Sequence, residues 1–214
     1  YAIADQTDDG RRWILLSGAP ERPGVYHLFD RDRRTITRLF ETRPELATRR
    51  LSPMHAQEVK ARDGLSLTTY LTLPPNETGA KPAKPLPLVL LVHGGPQARD
   101  SYGYHSQHQW LANRGYGVLS VNYRGSTGLG KSFVNAGNLE WAGKMHTDLI
   151  DAVEWAIAGG IADRARIAIM GGSYGGYATL VGLTFTPDVF ACGVCVVGPS
   201  NLETLLATIP PYWT

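Results

Sequence analysis

The chain opens with short runs in which apolar and polar positions alternate. Arg12–Leu16, Gly24–Asp30 and Thr35–Phe40 read as three β-strands, separated by the turn-rich segments Ser17-Gly18-Ala19-Pro20 and Asp30-Arg31-Asp32-Arg33. A three-stranded meander buries little on its own, so it is expected to belong to a larger β unit. From Gln57 the pattern changes. Gln57–Ala61 and Leu65–Leu73 predict a strand pair around Asp63-Gly64, because Asp-Gly supplies the positive φ of a tight hairpin turn. Proline-rich Pro74–Pro87 then reads as a surface loop.

Beyond it, strands and helices alternate. Leu88–Val92 is a continuous apolar run, Gln107–Asn113 predicts a helix, and Tyr116–Val121 predicts a second buried strand. A longer helix spans Lys144–Ala158, where Leu149, Ala152, Val153 and Ala156 fall on one face and Gly159-Gly160 ends it. Arg166–Met170 is the next strand, followed by a glycine-rich turn and a helix with Tyr177, Leu180, Val181 and Thr184 on one face. Phe190–Val197 reads as a last buried strand. The alternation predicts an α/β fold, a mostly parallel sheet with helices on both sides.

The turn after Met170 carries the chemistry. Gly171-Gly172-Ser173-Tyr174-Gly175-Gly176 is a G-x-S-x-G between a buried strand and a helix, the nucleophile turn of an α/β-hydrolase fold. Raising the Ser173 hydroxyl above the sheet needs a strained backbone, and side chains two positions either side would collide there. The helix starting at Tyr174 directs its amides and positive dipole end to the same place. A second motif, His93-Gly94-Gly95-Pro96, ends the strand Leu88–Val92. An oxyanion hole needs two converging N–H donors, and the amides of Tyr174 and Gly95 suit that role.

Composition narrows the partners. Lys plus Arg total 21 against 19 Asp plus Glu, a net +2 without charged blocks, so neither nucleic acid nor an anionic membrane is called for. A small molecule or peptide is the expected ligand. No apolar run approaches the roughly 20 residues that cross a bilayer, and the first residues lack a signal-peptide pattern. The first residue is Tyr1 rather than Met, which leaves the compartment open. Cys192 and Cys195 form a CxxC within an apolar strand and read as two buried core thiols rather than a zinc or redox pair. His105 and His108, at i and i+3, read as solvent-facing helix residues without a third metal ligand. Arg124 and Lys131 stand in the loop after Tyr116–Val121, either as substrate contacts or as plain surface charges.

Taken together, HGGP, NYRGSTGLGKSF (Asn122–Phe133), WAGKMHTDLIDAVEW (Trp141–Trp155), GGSYGGY and GPSNLETLLATIPPYW resemble the prolyl oligopeptidase family of serine peptidases, in its acylaminoacyl-peptidase-like and dipeptidyl-peptidase-like branches. The resemblance implies that residues 1–52 are the last blade or blades of a β-propeller and that 53–214 are a hydrolase domain approached through ARDGLSLTTYLTLP (Ala61–Pro74). It implies Ser173 as nucleophile, the Tyr174 and Gly95 amides as oxyanion donors, and no metal or cofactor. Some relatives carry a tyrosine where His93 stands, so a role for His93 on the oxyanion is left open.

The fold orders its triad as serine, then acid, then histidine. All six histidines (His27, His55, His93, His105, His108 and His146) precede Ser173, and the acids after it, Asp188 and Glu203, come too early for the family pattern. The resemblance therefore implies that the triad acid, the base and two final strands are absent, leaving Phe190–Val197 an uncovered edge able to pair with itself or another chain. The 214 residues alone are expected to be nearly inactive. Two other readings remain open: a carboxylesterase of the same fold, and a non-catalytic remnant that binds another protein.

Overall fold

Four antiparallel strands, β1 (Ala2–Gln6), β2 (Arg12–Ala19), β3 (Arg22–Asp30) and β4 (Thr35–Glu41), form one sheet in chain order. The computed structural model describes residues 1–77 and 79–210; the Pro211–Trp213 end of the last quoted motif lies outside them. Ser17–Ala19, expected as a turn, is strand: β2 pairs with β3 as far as Ala19 opposite Arg22, so the chain reverses at Pro20-Glu21. The pairing register shifts between Ser17 and Ala19, and a bulge there accounts for the turn-like sequence.

The second sheet runs β10-β9-β7-β8-β6-β5, with β5 (Met54–Lys60), β6 (Ser66–Thr72), β7 (Leu86–Val92), β8 (Gly117–Val121), β9 (Ala162–Gly172) and β10 (Cys192–Val196). The first four in that order are parallel, while β6 is antiparallel to β8 and β5 to β6. The hairpin turn has Gly64 at φ +88, the left-handed backbone that glycine adopts without strain.

Helices α1 (Ser106–Ala112), α2 (Lys131–Asn135), α3 (Lys144–Ala158), α4 (Tyr174–Phe185) and α5 (Leu202–Thr208) complete the description. Period-two alternation divides the core. Leu88, Leu90 and Val92 of β7 join Ile167 and Ile169 of β9 in a cluster with Leu149 and Val153 of α3 and Ala178 of α4. Val89 and Leu91 cluster on the other side with Leu111 of α1 and Val118 of β8. Each fully buried aliphatic side chain contributes about 1.5–3 kcal/mol.

Three expectations are corrected. The buried face of α4 runs through Tyr174, Gly175, Ala178, Thr179, Val181 and Gly182, and Thr184 is exposed, because this helix packs by its glycines rather than by an aliphatic stripe. Cys192 and Cys195 are exposed free thiols, since β10 pairs on one side only and its faces are largely uncovered. His108 is not solvent-facing: it is 1% exposed, inside the layer between α1 and the sheet.

The approach of α4 to the sheet is main chain on main chain. A Cβ on Gly175 would lie 2.1 Å from the Val92 carbonyl oxygen, and one on Gly171 would lie 2.5 Å from Gly175 backbone. Gly172 has no such neighbour, its nearest being the Val196 oxygen at 3.9 Å. On the α1 side, His108 Nδ1 is 2.9 Å from Thr72 Oγ1 and its Nε2 is 2.8 Å from Ser120 Oγ. Burial, with His105 adding to it, holds the ring down to about 3. Burial raises the Asp100 carboxyl to about 6, against the pull of the Ser120 hydroxyl.

Two outcomes follow from these contacts. Gly175→Ala should cost about 3 kcal/mol or more, or prevent soluble expression, while Gly172→Ala should stay within about 0.5 kcal/mol of the parent in denaturant midpoints; equal costs would contradict the packing. The second concerns acid stability. His108 stays neutral in the fold to about pH 3 while an unfolded imidazole protonates near 6.5, so its contribution is present above 6.5 and lost as pH falls. Asp100 opposes it: the folded carboxyl keeps its proton to about pH 6 and the unfolded one to about 3.8, so its contribution is lost as pH rises. Between about pH 4 and 6 the two slopes, each about 1.4 kcal/mol per pH unit, offset one another. Asp100→Asn should therefore lose about 2 kcal/mol more than the parent on going from pH 6 to 4. Parallel stability curves would refute it.

Candidate active site

Ser173 sits between β9 and α4 at φ 55, ψ −120, a conformation that costs a non-glycine residue about 1–3 kcal/mol. Surrounding main chain holds it there: its N–H donates to Val196 O at 2.9 Å, and its carbonyl accepts from Tyr177 N at 3.0 Å. The side chain is left exposed above the sheet, at the N-terminus of a 12-residue helix. A Cβ on Gly94 would stand 3.4 Å from Ser173 Cβ and 3.1 Å from Gly172 O, so the loop after β7 lies directly against the nucleophile turn. Among the described residues, neither the Tyr174 nor the Gly95 amide N–H donates to another group of the chain. The two donors without partners thus belong to segments that meet at an exposed serine.

The loop after β7 is anchored through His93. Its ring stacks on Tyr123 with centroids 4.4 Å apart and planes 15° apart. Nδ1 is 2.8 Å from Gly94 O, and Nε2 is 2.9 Å from Ser126 Oγ. Burial lowers its basicity. With both nitrogens engaged, the His93 ring braces its own loop and is not a free donor toward Ser173. Tyr123 also packs against Tyr174, which in turn meets Trp141 and Tyr177; burial raises the Tyr123 and Tyr174 phenols, and both remain neutral hydroxyls.

Arg124 is corrected outright: it is 4% exposed, neither a surface charge nor within reach of a ligand. Its Nε and Nη2 donate to the Asp148 carboxylate at 2.9 and 2.7 Å, and Nη1 and Nη2 to Asp63 at 2.9 and 3.0 Å. Arg124 holds Asp63 down to about 2, while burial raises Asp148 against the pull of the same guanidinium. Lys131 is exposed at the start of α2.

A cavity of about 240 Å³ opens beside the nucleophile turn, walled in part by His93, Gly94, Asp100, His105, Gly172 and Val196. Asp100 Oδ2 is buried there and has no hydrogen-bond partner among the described residues. His105 and His108 meet edge to face at 4.9 Å, and no group of three potential metal ligands occurs among the described residues. Asp188 and Glu203 are both exposed. Tyr123, Ser126 and Asp148 went unmarked in the sequence, although two of them flank Arg124 within a quoted motif. No local spacing shows that a turn 33 residues on would close over His93.

Comparison with known proteins bears on the family and the fold. The Prolyl oligopeptidase family model matches residues 102–214. Dipeptidyl aminopeptidase BIII of Pseudoxanthomonas mexicana is 60% identical over 99% of this chain and 31% of its own length. Dipeptidyl peptidase family member 6 of Caenorhabditis elegans is 46% identical, again over 99% of this chain and 31% of its own. A puromycin-hydrolyzing peptidase of Mycobacterium tuberculosis superposes with a TM-score of 0.84 at 32% identity, covering 95% of this chain and 31% of that one. The chain thus spans about a third of the length of these relatives. With an exposed serine on a strained strand-to-helix turn, and a family match over more than half of its residues, the chain belongs to the prolyl oligopeptidase family of serine peptidases.

Proposed function

We propose that the full-length protein is a serine peptidase that releases dipeptides from the N-termini of short peptides through an acyl-enzyme on Ser173. The observation that carries this reading is the exposed Ser173 hydroxyl at φ 55, at the head of α4 and against the Gly94-Gly95 loop. Ser173 Oγ attacks the scissile carbonyl carbon, and its proton passes to a general base. The carbonyl oxygen becomes an oxyanion within reach of the Tyr174 and Gly95 N–H groups. Collapse expels the amine, which takes the proton, and water then releases the acyl group by the same route. No cofactor enters these steps. By the fold's chain order the acid and histidine of the triad belong after Ser173, and we assign both to the longer protein rather than to these residues.

The dipeptidyl specificity rests on the relative at 60% identity, named a dipeptidyl aminopeptidase. We also propose that the sheet β1–β4 is one blade of a β-propeller; four antiparallel strands in chain order support this. No helix among the described residues is long and apolar enough to cross a membrane.

The test is made on full-length protein. A fluorophosphonate probe should label the parent and leave Ser173→Ala unlabelled, and turnover of a dipeptidyl anilide should fall by about 10⁴-fold or more in the variant. Equal labelling of both would remove the assignment. Mass analysis of digested peptides should show free dipeptides; products cut only from N-blocked peptides, or turnover of simple esters without peptides, would replace the dipeptidyl reading.

A further inference from the structure

The loop that carries the Gly95 amide is bonded on both sides of that glycine to one other segment, 122–127. Tyr123 Oη donates to His93 O at 2.9 Å, and Ser126 Oγ meets His93 Nε2 at 2.9 Å. Farther along, Thr127 N donates to Ala98 O at 2.9 Å, Asp100 N donates to Asn122 Oδ1 at 2.8 Å, and Asn122 Nδ2 returns to Asp100 O at 3.2 Å. The loop 93–100 is thus bonded to the turn 122–127 at His93, before Gly95, and at Ala98 and Asp100, after it.

That turn is held by Arg124. Its main-chain N–H and its guanidinium bind Asp148, a residue of α3 with no exposed side-chain surface. The far edge of the guanidinium is clamped by Asp63, in the hairpin turn between β5 and β6, where Lys144 also approaches at 4.0 Å. A planar fork with both edges occupied has one orientation, which a lysine does not reproduce. The adjacent Tyr123 faces the ring of Tyr174, whose amide is the second donor. One side of the turn therefore touches both halves of the oxyanion site, and the other is tied to α3 and the hairpin.

We propose that Arg124, clamped between Asp148 and Asp63, is a positioning residue for the oxyanion hole: it sets the turn on which the Gly95 amide is aligned with that of Tyr174. The inference rests on the peptidase reading above. Displacing such donors by a fraction of an ångström weakens transition-state binding while leaving ground-state binding of the peptide nearly untouched.

The experiment compares full-length parent, Asp63→Asn, Arg124→Met and Arg124→Lys. Each is assayed for kcat and KM on a dipeptidyl anilide, inhibition by a peptide boronate that forms a tetrahedral adduct on serine, and inhibition by a product dipeptide. Asp63→Asn keeps the Asp148 pair and changes a half-exposed turn. It should lower kcat about three- to tenfold with KM within about twofold, and weaken the boronate in proportion but not the dipeptide. Arg124→Met should lose about 100-fold in kcat, and Arg124→Lys should not restore it. If the Arg124 variants fail to fold, Asp63→Asn alone decides. Unchanged kcat and boronate affinity in Asp63→Asn, or a rise in KM without loss of kcat, would overturn the positioning role. An unlabelled, inactive parent would instead overturn the peptidase reading, and this inference with it.

Discussion

The start of helix α4 is pressed against the end of strand β7 with no side chain between them, and the rest of the site depends on that contact. Main chain does not yield as a flexible side chain does. The path of Gly171–Gly175 therefore fixes where the Ser173 oxygen emerges, independently of any rotamer choice below it. The strained backbone at Ser173 is held by the hydrogen bond from its N–H to Val196 O and by the packing of Ala178 and Val181 beneath the helix. A handful of buried aliphatic side chains, each contributing about 1.5–3 kcal/mol, offsets a local cost of about 1–3 kcal/mol.

Around this apolar scaffold, two buried polar groups lie on opposite faces of the sheet. On the α1 side, Thr72, His108 and Ser120 form a buried neutral chain. On the α3 side, Arg124, Asp148 and Asp63 form a charged one. Asn122 and Tyr123 stand where the two groups approach each other at the end of β8, and both bind the loop that follows β7. Hydrogen bonds from Asn122, Tyr123 and the residues after them thus hold that loop, and among the described residues its Gly95 amide has no partner of its own.

Elements with a strong local signature were legible. The bounds of α3, Lys144–Ala158, agree with its apolar period and its terminal glycines. The start of β9 was read too late: the strand begins at Ala162, although Arg164–Arg166 are exposed and break the apolar run, because pairing with β7 continues past the buried segment. The face of α4 was misread for a related reason. A hydrophobic pattern gives no weight to glycine, and Gly175, Gly176 and Gly182 are where this helix meets its neighbours. Likewise, Cys192 and Cys195 looked buried because an apolar run does not reveal whether both sides of a strand are covered.

By itself the sequence determined the alternating α/β plan, the strained strand-to-helix turn at Ser173 and the family, because the steric demands of G-x-S-x-G and the periods of strand and helix act over a few neighbouring residues. The fate of Arg124 and of His93 was decided only in three dimensions. Arg124 meets Asp63 across 61 positions and Asp148 across 24, and His93 meets Ser126 across 33. Charge and ring chemistry are written at each position, but whether they face solvent, a ligand or one another depends on how the chain returns. Only the packed sheet, with α1 on one face and α3 and α4 on the other, settles that.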